Sequence, residues 1–102
     1  INKALDYIHA HYRGKITIIN LAGMCQLSLR QFERRFKSYF NLSPTQYIMK
    51  MRIHEACDLL CNGSMSIGDI ASTLGFYDQS SFTVQFKKTM SMTPLQYRKQ
   101  FF

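Results

Sequence analysis

Residues 28–47 read SLRQFERRFKSYFNLSPTQY, and residues 78–97 read DQSSFTVQFKKTMSMTPLQY. At an offset of fifty, Phe32, Phe36 and Lys37 meet Phe82, Phe86 and Lys87. At the same offset Pro44, Gln46 and Tyr47 meet Pro94, Gln96 and Tyr97, and Ser43 meets Thr93. Upstream, Ile18, Leu21 and Ala22 meet Ile67, Ile70 and Ala71 at an offset of forty-nine, so the second copy has one more residue in its turn. A pattern that returns at one spacing reads as one supersecondary unit used twice, with some sequence left between the copies.

The unit is helical. Sustained period-two alternation is missing, and the one Asn-Gly pair, Asn62-Gly63, follows a helical pattern rather than a strand, whereas helix starts are frequent. Ser28 with Gln31 makes a capping box, in which the hydroxyl and the amide each satisfy one orphan backbone N–H. Ser43-Pro44-Thr45-Gln46 repeats the device with proline at the first helical position, where its missing N–H costs nothing. Thr93-Pro94-Leu95-Gln96 repeats it again, and Ser66 with Asp69 opens a short helix that Gly75 ends. Asp78 or Gln79 opens the next one, packed through Phe82 and Phe86. Thr17 is the expected cap of a helix reaching about Cys25. Ile1, Leu5, Ile8 and Tyr12 form an apolar stripe ending near Gly14, and Leu29, Phe32, Phe36 and Phe40 form another. The expectation is an all-α fold of about seven helices, all short except the one from Pro44 to about Cys61.

Each copy joins a short helix carrying a small alanine, Ala22 or Ala71, to a second helix through a brief turn. This is the outline of a helix-turn-helix, where a small residue suits the close crossing. Gly75 permits a left-handed backbone in the second turn. The first copy has Gln26 there, and its turn is expected to be made another way.

The chain has 102 residues, 46% of them apolar, and thirteen Lys and Arg against six Asp and Glu leave a net charge of +7. It is long enough for one compact unit or two very small ones, and too apolar to be a disordered tail. No apolar run approaches the ~18–20 residues that span a bilayer, so a membrane-spanning protein is excluded. Three cysteines without a CxxC pair do not frame a secreted disulfide scaffold. The chain opens in mid-pattern at Ile1 without an initiator Met, which reads as a piece of a longer protein. Arg30, Arg34, Arg35 and Lys37 cluster in eight residues, and Lys87, Lys88, Arg98 and Lys99 form a second cluster. Either is compatible with a solvated helix face; together, at matching places in a repeat, they point to a polyanionic partner.

At about 100° per residue, Arg30, Glu33, Arg34 and Lys37 form a stripe about a quarter turn from the phenylalanine stripe. A helix that buries one side and offers arginines at i and i+4 fits a major groove. Arg30 and Arg34 suit bidentate contacts to guanine O6 and N7, and Glu33 either accepts from a cytosine amine or orients its neighbours. The alternative is two solvated arginines paired with Glu33. The same offsets in the second copy fall on Ser80, Thr83, Val84 and Lys87, with Gln79 at the helix start. Gln79 suits an adenine edge, and Val84 or the Thr83 methyl suits a thymine methyl. For Ser80 and Thr83, exposed hydroxyls without a ligand are an equal reading.

These segments resemble the DNA-binding domain of the AraC/XylS family of bacterial transcription regulators. The resemblance is carried by ITIINLAGMCQLSLRQFERRFK at 16–37, Ser43-Pro44 through Arg52, Ala56 and Leu59-Leu60, SIGDIASTLGFYDQSSFTVQFKK at 66–88, and TPLQYR at 93–98. It implies a homeodomain-like architecture: a first helix-turn-helix subdomain over residues 1–42, a linker helix over 43–61 and a second subdomain over 62–102. It implies sequence-specific binding of double-stranded DNA, with the two recognition helices in successive major-groove segments ~34 Å apart. The copies differ, so one domain reads an asymmetric site, and helices closer than the groove repeat bend the DNA. The base-reading positions fall on Arg30, Glu33 and Arg34, and on Gln79, Ser80, Thr83 and Val84; phosphate contacts fall on Ser28, Arg35, Lys37, Lys87 and Lys88. Val84 stands where the family often has Arg, and Asn41 and Ser91 replace a common Gly. Asn41 tolerates a left-handed helix end, and Ser91 is less suited to one.

The resemblance further implies a cytoplasmic, nucleoid-associated regulator with a companion effector or dimerisation domain, contact with RNA polymerase and no membrane partner. Two other readings are a DNA-binding part of an adaptive-response DNA-repair protein, and a basic helical module for proteins or RNA. His54, Cys57 and Cys61 share a helix face, with Cys25 a conceivable fourth metal ligand, but Cys is among the most buried residue types and this face must pack. No pattern suggests nucleophilic catalysis or a phosphate loop, so no enzyme activity, metal or other cofactor is expected.

Overall fold

A computed structural model describes residues 1–101. Seven helices make up its regular structure among the described residues: α1 (Asn2–His11), α2 (Ile18–Met24), α3 (Leu29–Phe40), α4 (Pro44–Asn62), α5 (Ile67–Thr73), α6 (Gln79–Met90) and α7 (Pro94–Phe101). The chain divides into two compact units, Ile1–Met49 and Lys50–Phe102, and the division falls inside α4.

In the first unit α2 packs on both α1 and α3. Ala4, Ile8, Leu21, Ala22, Phe32, Phe36 and Ile48 are buried. Phe36 is the centre of a ring cluster. Phe32, Phe40 and Tyr47 lie 5.8, 4.6 and 5.4 Å from it, and Tyr47 meets it edge-on at 80°. Such tilted and edge-on pairs place positive ring edges against negative faces. In the second unit α6 packs on α5 and α7. Ile70, Ala71, Leu74, Phe82 and Phe86 are buried with Ile53, Ala56 and Leu60 of α4. Tyr97 meets Phe86 edge-on at 5.5 Å and 78°, so the repeat extends to side-chain packing.

The caps account for the helix starts. Ser28 and Gln31 exchange hydrogen bonds of 3.2 and 3.1 Å, Ser43 and Gln46 of 3.1 and 2.9 Å, and Thr93 and Gln96 of 3.1 and 2.8 Å. Ser66 Oγ accepts from the Asp69 N–H, and Asp78 Oδ1 from the Ser81 N–H at 2.7 Å. Thr17 differs from expectation: it stands at the N-cap of α2 with extended backbone, yet its side chain makes no capping bond. Leu29 also differs. As the first residue of α3 it precedes the turn that packs, and it is 40% exposed rather than core.

The first interhelical turn corrects a further expectation. Gln26 has φ 57° and Gly75 has φ 85°, so both turns use the left-handed region. In each, the following residue donates back to the alanine: Leu27 N–H to Ala22 O and Phe76 N–H to Ala71 O, both 3.0 Å. This backbone bond closes the short helix by the same geometry in both copies, with glutamine bearing the steric penalty that glycine avoids. Asn41 and Ser91 end α3 and α6 in the left-handed region too, at φ 61° and 64°.

Candidate nucleic-acid interface

α3 buries Phe32 and Phe36 and turns Arg30, Glu33, Arg34, Arg35 and Lys37 to solvent. The apolar residues recur every four positions, so the cationic residues between them are left on the outer surface. Arg30, Glu33, Arg34 and Lys37 share one stripe of that surface. Glu33, Arg34 and Lys37, with Ser38 and Ser43, line a shallow open groove alongside α3. Ser28 is exposed, and its oxygen already accepts from the Gln31 N–H. Its hydroxyl proton remains a donor.

α6 offers a different surface. Gln79, Ser80, Val84, Lys87 and Lys88 are exposed, with Val84 at 62%, while Thr83 is half-buried and offers less of itself. Gln79 lies back against α5: a Cβ added at Gly68 would stand 3.1 Å from its Oε1. The absence of a side chain at Gly68 makes room for that amide. Asp78 holds the first turn of α6, and the bonds from the Ser81 backbone and side chain keep its carboxyl below the ordinary value.

Arg98 leaves the second basic cluster. It is part-buried, and its guanidinium donates from Nε to Leu60 O at 3.0 Å and from Nη2 to Met65 O at 2.7 Å. These carbonyls belong to the last turn of α4 and the segment after it, which otherwise have no helical donors. Lys87, Lys88 and Lys99 remain exposed. Arg52, half-buried, has its guanidinium 6.0 Å from the centre of the Phe76 ring, and burial lowers its pKa.

The three cysteines are half-buried and the three histidines are exposed. Among the described residues no three His, Cys, Asp or Glu side chains are grouped to hold a metal ion. His54 is exposed, and Cys57 instead shares a hydrogen bond with Tyr97. That bond, then burial and the neighbouring thiols, pushes the Tyr97 phenol up to about 12. Burial also pushes the Cys57 thiol up. His9 Nε2 and Tyr47 Oη make a 2.8 Å hydrogen bond in the first unit. Matching tyrosines thus tether their helices to different partners. Local sequence patterns do not show the Tyr97–Cys57 bond or the role of Arg98, because both join residues far apart in the chain.

A family profile described as a helix-turn-helix domain matches residues 21–100. The chain is 35% identical, over 97% of its length, to an uncharacterized HTH-type transcriptional regulator, YdeC, of Bacillus subtilis, and spans 34% of that protein. It is 32% identical, over 92% of its length, to the bifunctional transcriptional activator/DNA repair enzyme AdaA of the same organism, and spans 44% of it. A solved transcriptional regulator from Chromobacterium violaceum, described as AraC-type DNA-binding domain-containing, superposes with a TM-score of 0.86 at 28% identity, covering 97% of this chain and 88% of that one. The repeated short helix, left-handed turn and cation-bearing second helix therefore have a family: this chain belongs to the AraC-type helix-turn-helix domains of transcription regulators.

Proposed function

We propose that the chain reads double-stranded DNA with two unlike helices, α3 and α6, each entering a major-groove segment, and so directs a bacterial regulator to an asymmetric operator. The observation that carries this reading is the face of α3, where Arg30, Glu33 and Arg34 stand exposed over a buried Phe32 and Phe36. Arg30 and Arg34 take guanine edges, and Glu33 accepts from a cytosine amine. On α6, Gln79, Ser80, Val84 and the half-buried Thr83 make the weaker readout; Gln79 must swing away from Gly68 to reach an adenine. Ser28, Arg35, Lys37, Lys87 and Lys88 hold phosphates. The three-part organisation, with residues 43–61 as the linker between subdomains 1–42 and 62–102, belongs to this proposal. So do a cytoplasmic setting at the nucleoid, contact of the whole regulator with RNA polymerase, a companion effector or dimerisation domain, and the lack of catalysis in this part.

Selection from randomised duplex DNA at near-physiological salt, followed by footprinting, tests the reading. The expected winner has two unlike blocks about one helical turn apart. Arg30→Ala and Arg34→Ala each weaken binding by ~1–3 kcal/mol and relax preference at particular base pairs. Loss spread evenly over all sequences makes them phosphate contacts, and no enrichment overturns sequence-specific reading. Similarity to AdaA favours a second setting, the DNA-binding part of a repair protein. The same helices would then serve that protein, and its reactive chemistry would lie outside this chain.

A further inference from the structure

We propose that Tyr77 touches the DNA backbone in the second copy of the repeat alone, its phenol donating to a phosphate oxygen at the rim of the groove that α6 enters. The inference rests on the DNA-binding reading above. Tyr77 is the one residue of the second turn without a counterpart in the first. Gly75 and Phe76 match Gln26 and Leu27 in backbone bonding at an offset of forty-nine, and Asp78 matches Ser28 as N-cap at fifty. The first copy closes the same turn without it, so the turn does not require Tyr77.

Tyr77 is 93% exposed, the most of the large apolar residues among those described. It stands one residue ahead of the α6 N-cap, outside the helix and beside the residues proposed to face DNA. Phosphates run along the rim of a groove, and tyrosine hydroxyls are regular donors to them. The α6 face also lacks what α3 has. Lys87 is its one cation at the offsets where α3 carries Arg30, Arg34 and Lys37. A lysine or arginine at 77 would sit beside the Asp78 carboxylate and be partly neutralised by it. A neutral phenol keeps its donor for the phosphate, and Asp78 keeps its bond to the Ser81 N–H.

The test compares wild type, Tyr77→Phe and Tyr77→Ala on two probes: the duplex enriched by the wild-type chain and a shuffled duplex of the same composition. Tyr77→Phe is expected to weaken binding about threefold to tenfold on both probes, the loss of one hydrogen bond. Tyr77→Ala weakens it at least as much. The dependence of affinity on salt keeps its slope, because a neutral donor releases no counterion, whereas Lys87→Ala reduces that slope by about 1. Thermal unfolding of both variants matches wild type. Unchanged affinity in both variants overturns the contact. A loss confined to the enriched duplex, and abolished when one thymine is replaced by uracil, overturns the phosphate assignment in favour of base reading. A lowered melting temperature that accounts for the weakened binding makes Tyr77 structural. If wild type binds neither probe, the DNA-binding reading itself falls; if wild type binds and the variants match it, only the Tyr77 inference falls.

Discussion

Among the described residues, three without the freedom of glycine hold left-handed backbone: Gln26, Asn41 and Ser91. The left-handed region costs a side-chain-bearing residue roughly 1–2 kcal/mol, and asparagine less because it tolerates that region. Glycine gives back part of the gain through greater unfolded-state entropy. Gln26→Gly and Ser91→Gly are therefore expected to stabilise the chain by about 0.5–1 kcal/mol each, measured as a shift in the urea midpoint, and Asn41→Gly by less. An equal gain at all three sites contradicts the ranking. Tyr97 makes a prediction of pH. Its phenol is raised from 10.0 to about 12 by the bond with Cys57, by burial and by the nearby thiols. A group raised on folding stabilises fully below its unfolded value and loses that contribution as pH rises through the folded one. Denaturation midpoints should therefore fall between pH 10.0 and about 12, and Cys57→Ala should shrink the fall.

At the scale of the element, helix starts and helix ends were unequally legible. Each start marked by Ser or Thr with Gln three residues on forms its box, because both partners lie within one turn of chain. Thr17 had no such partner, and its side chain makes no cap bond. The end of α4 depends on Arg98, a partner 38 residues away from Leu60 and invisible to local patterning. Arg98→Met should destabilise the chain by about 1–3 kcal/mol, since it leaves two carbonyls without a charged donor. Arg98→Lys should recover less than half of that, because one ammonium cannot match a planar fork spanning two acceptors. Thermal melts give the stability, and the salt slope of DNA binding should be the same in both variants. A reduced slope would return Arg98 to the phosphate-binding set.

For the whole molecule, the net charge of +7 makes binding a question of counterions. Arg35, Lys37, Lys87 and Lys88, four cations at about 0.9 each, predict a slope of log affinity against log salt of about −3.6 on any duplex. Anisotropy titrations at several salt concentrations check this, and a flat response counts against DNA as the partner. The unlike faces of α3 and α6 add that most sequence discrimination should reside in the block that α3 meets. The second copy is expected to discriminate less, because Ser80 and Val84 stand at the offsets of Arg30 and Arg34.

Spacing along the chain was enough to read the repeat, the number and kind of helices, most of their caps and the phenylalanine core, and it supplied the proposed reading positions. These are consequences of spacing, and spacing is local: a 3.6-residue period or a three-residue cap needs no knowledge of the rest of the chain. It also placed Arg98 in a basic cluster, Leu29 in the core and Gln26 outside a left-handed turn. The structure differs in each case, and for Arg98 the cause lies far away in the chain. Arg98 finds carbonyls of a distant segment, Leu29 precedes the packed turn, and the bond from Leu27 to Ala22 holds Gln26 in a region it would not choose alone. It also folded Gln79 against Gly68 and left Tyr77 standing out from the turn. Those outcomes depend on which surfaces meet, and composition along a single helix does not record its neighbours.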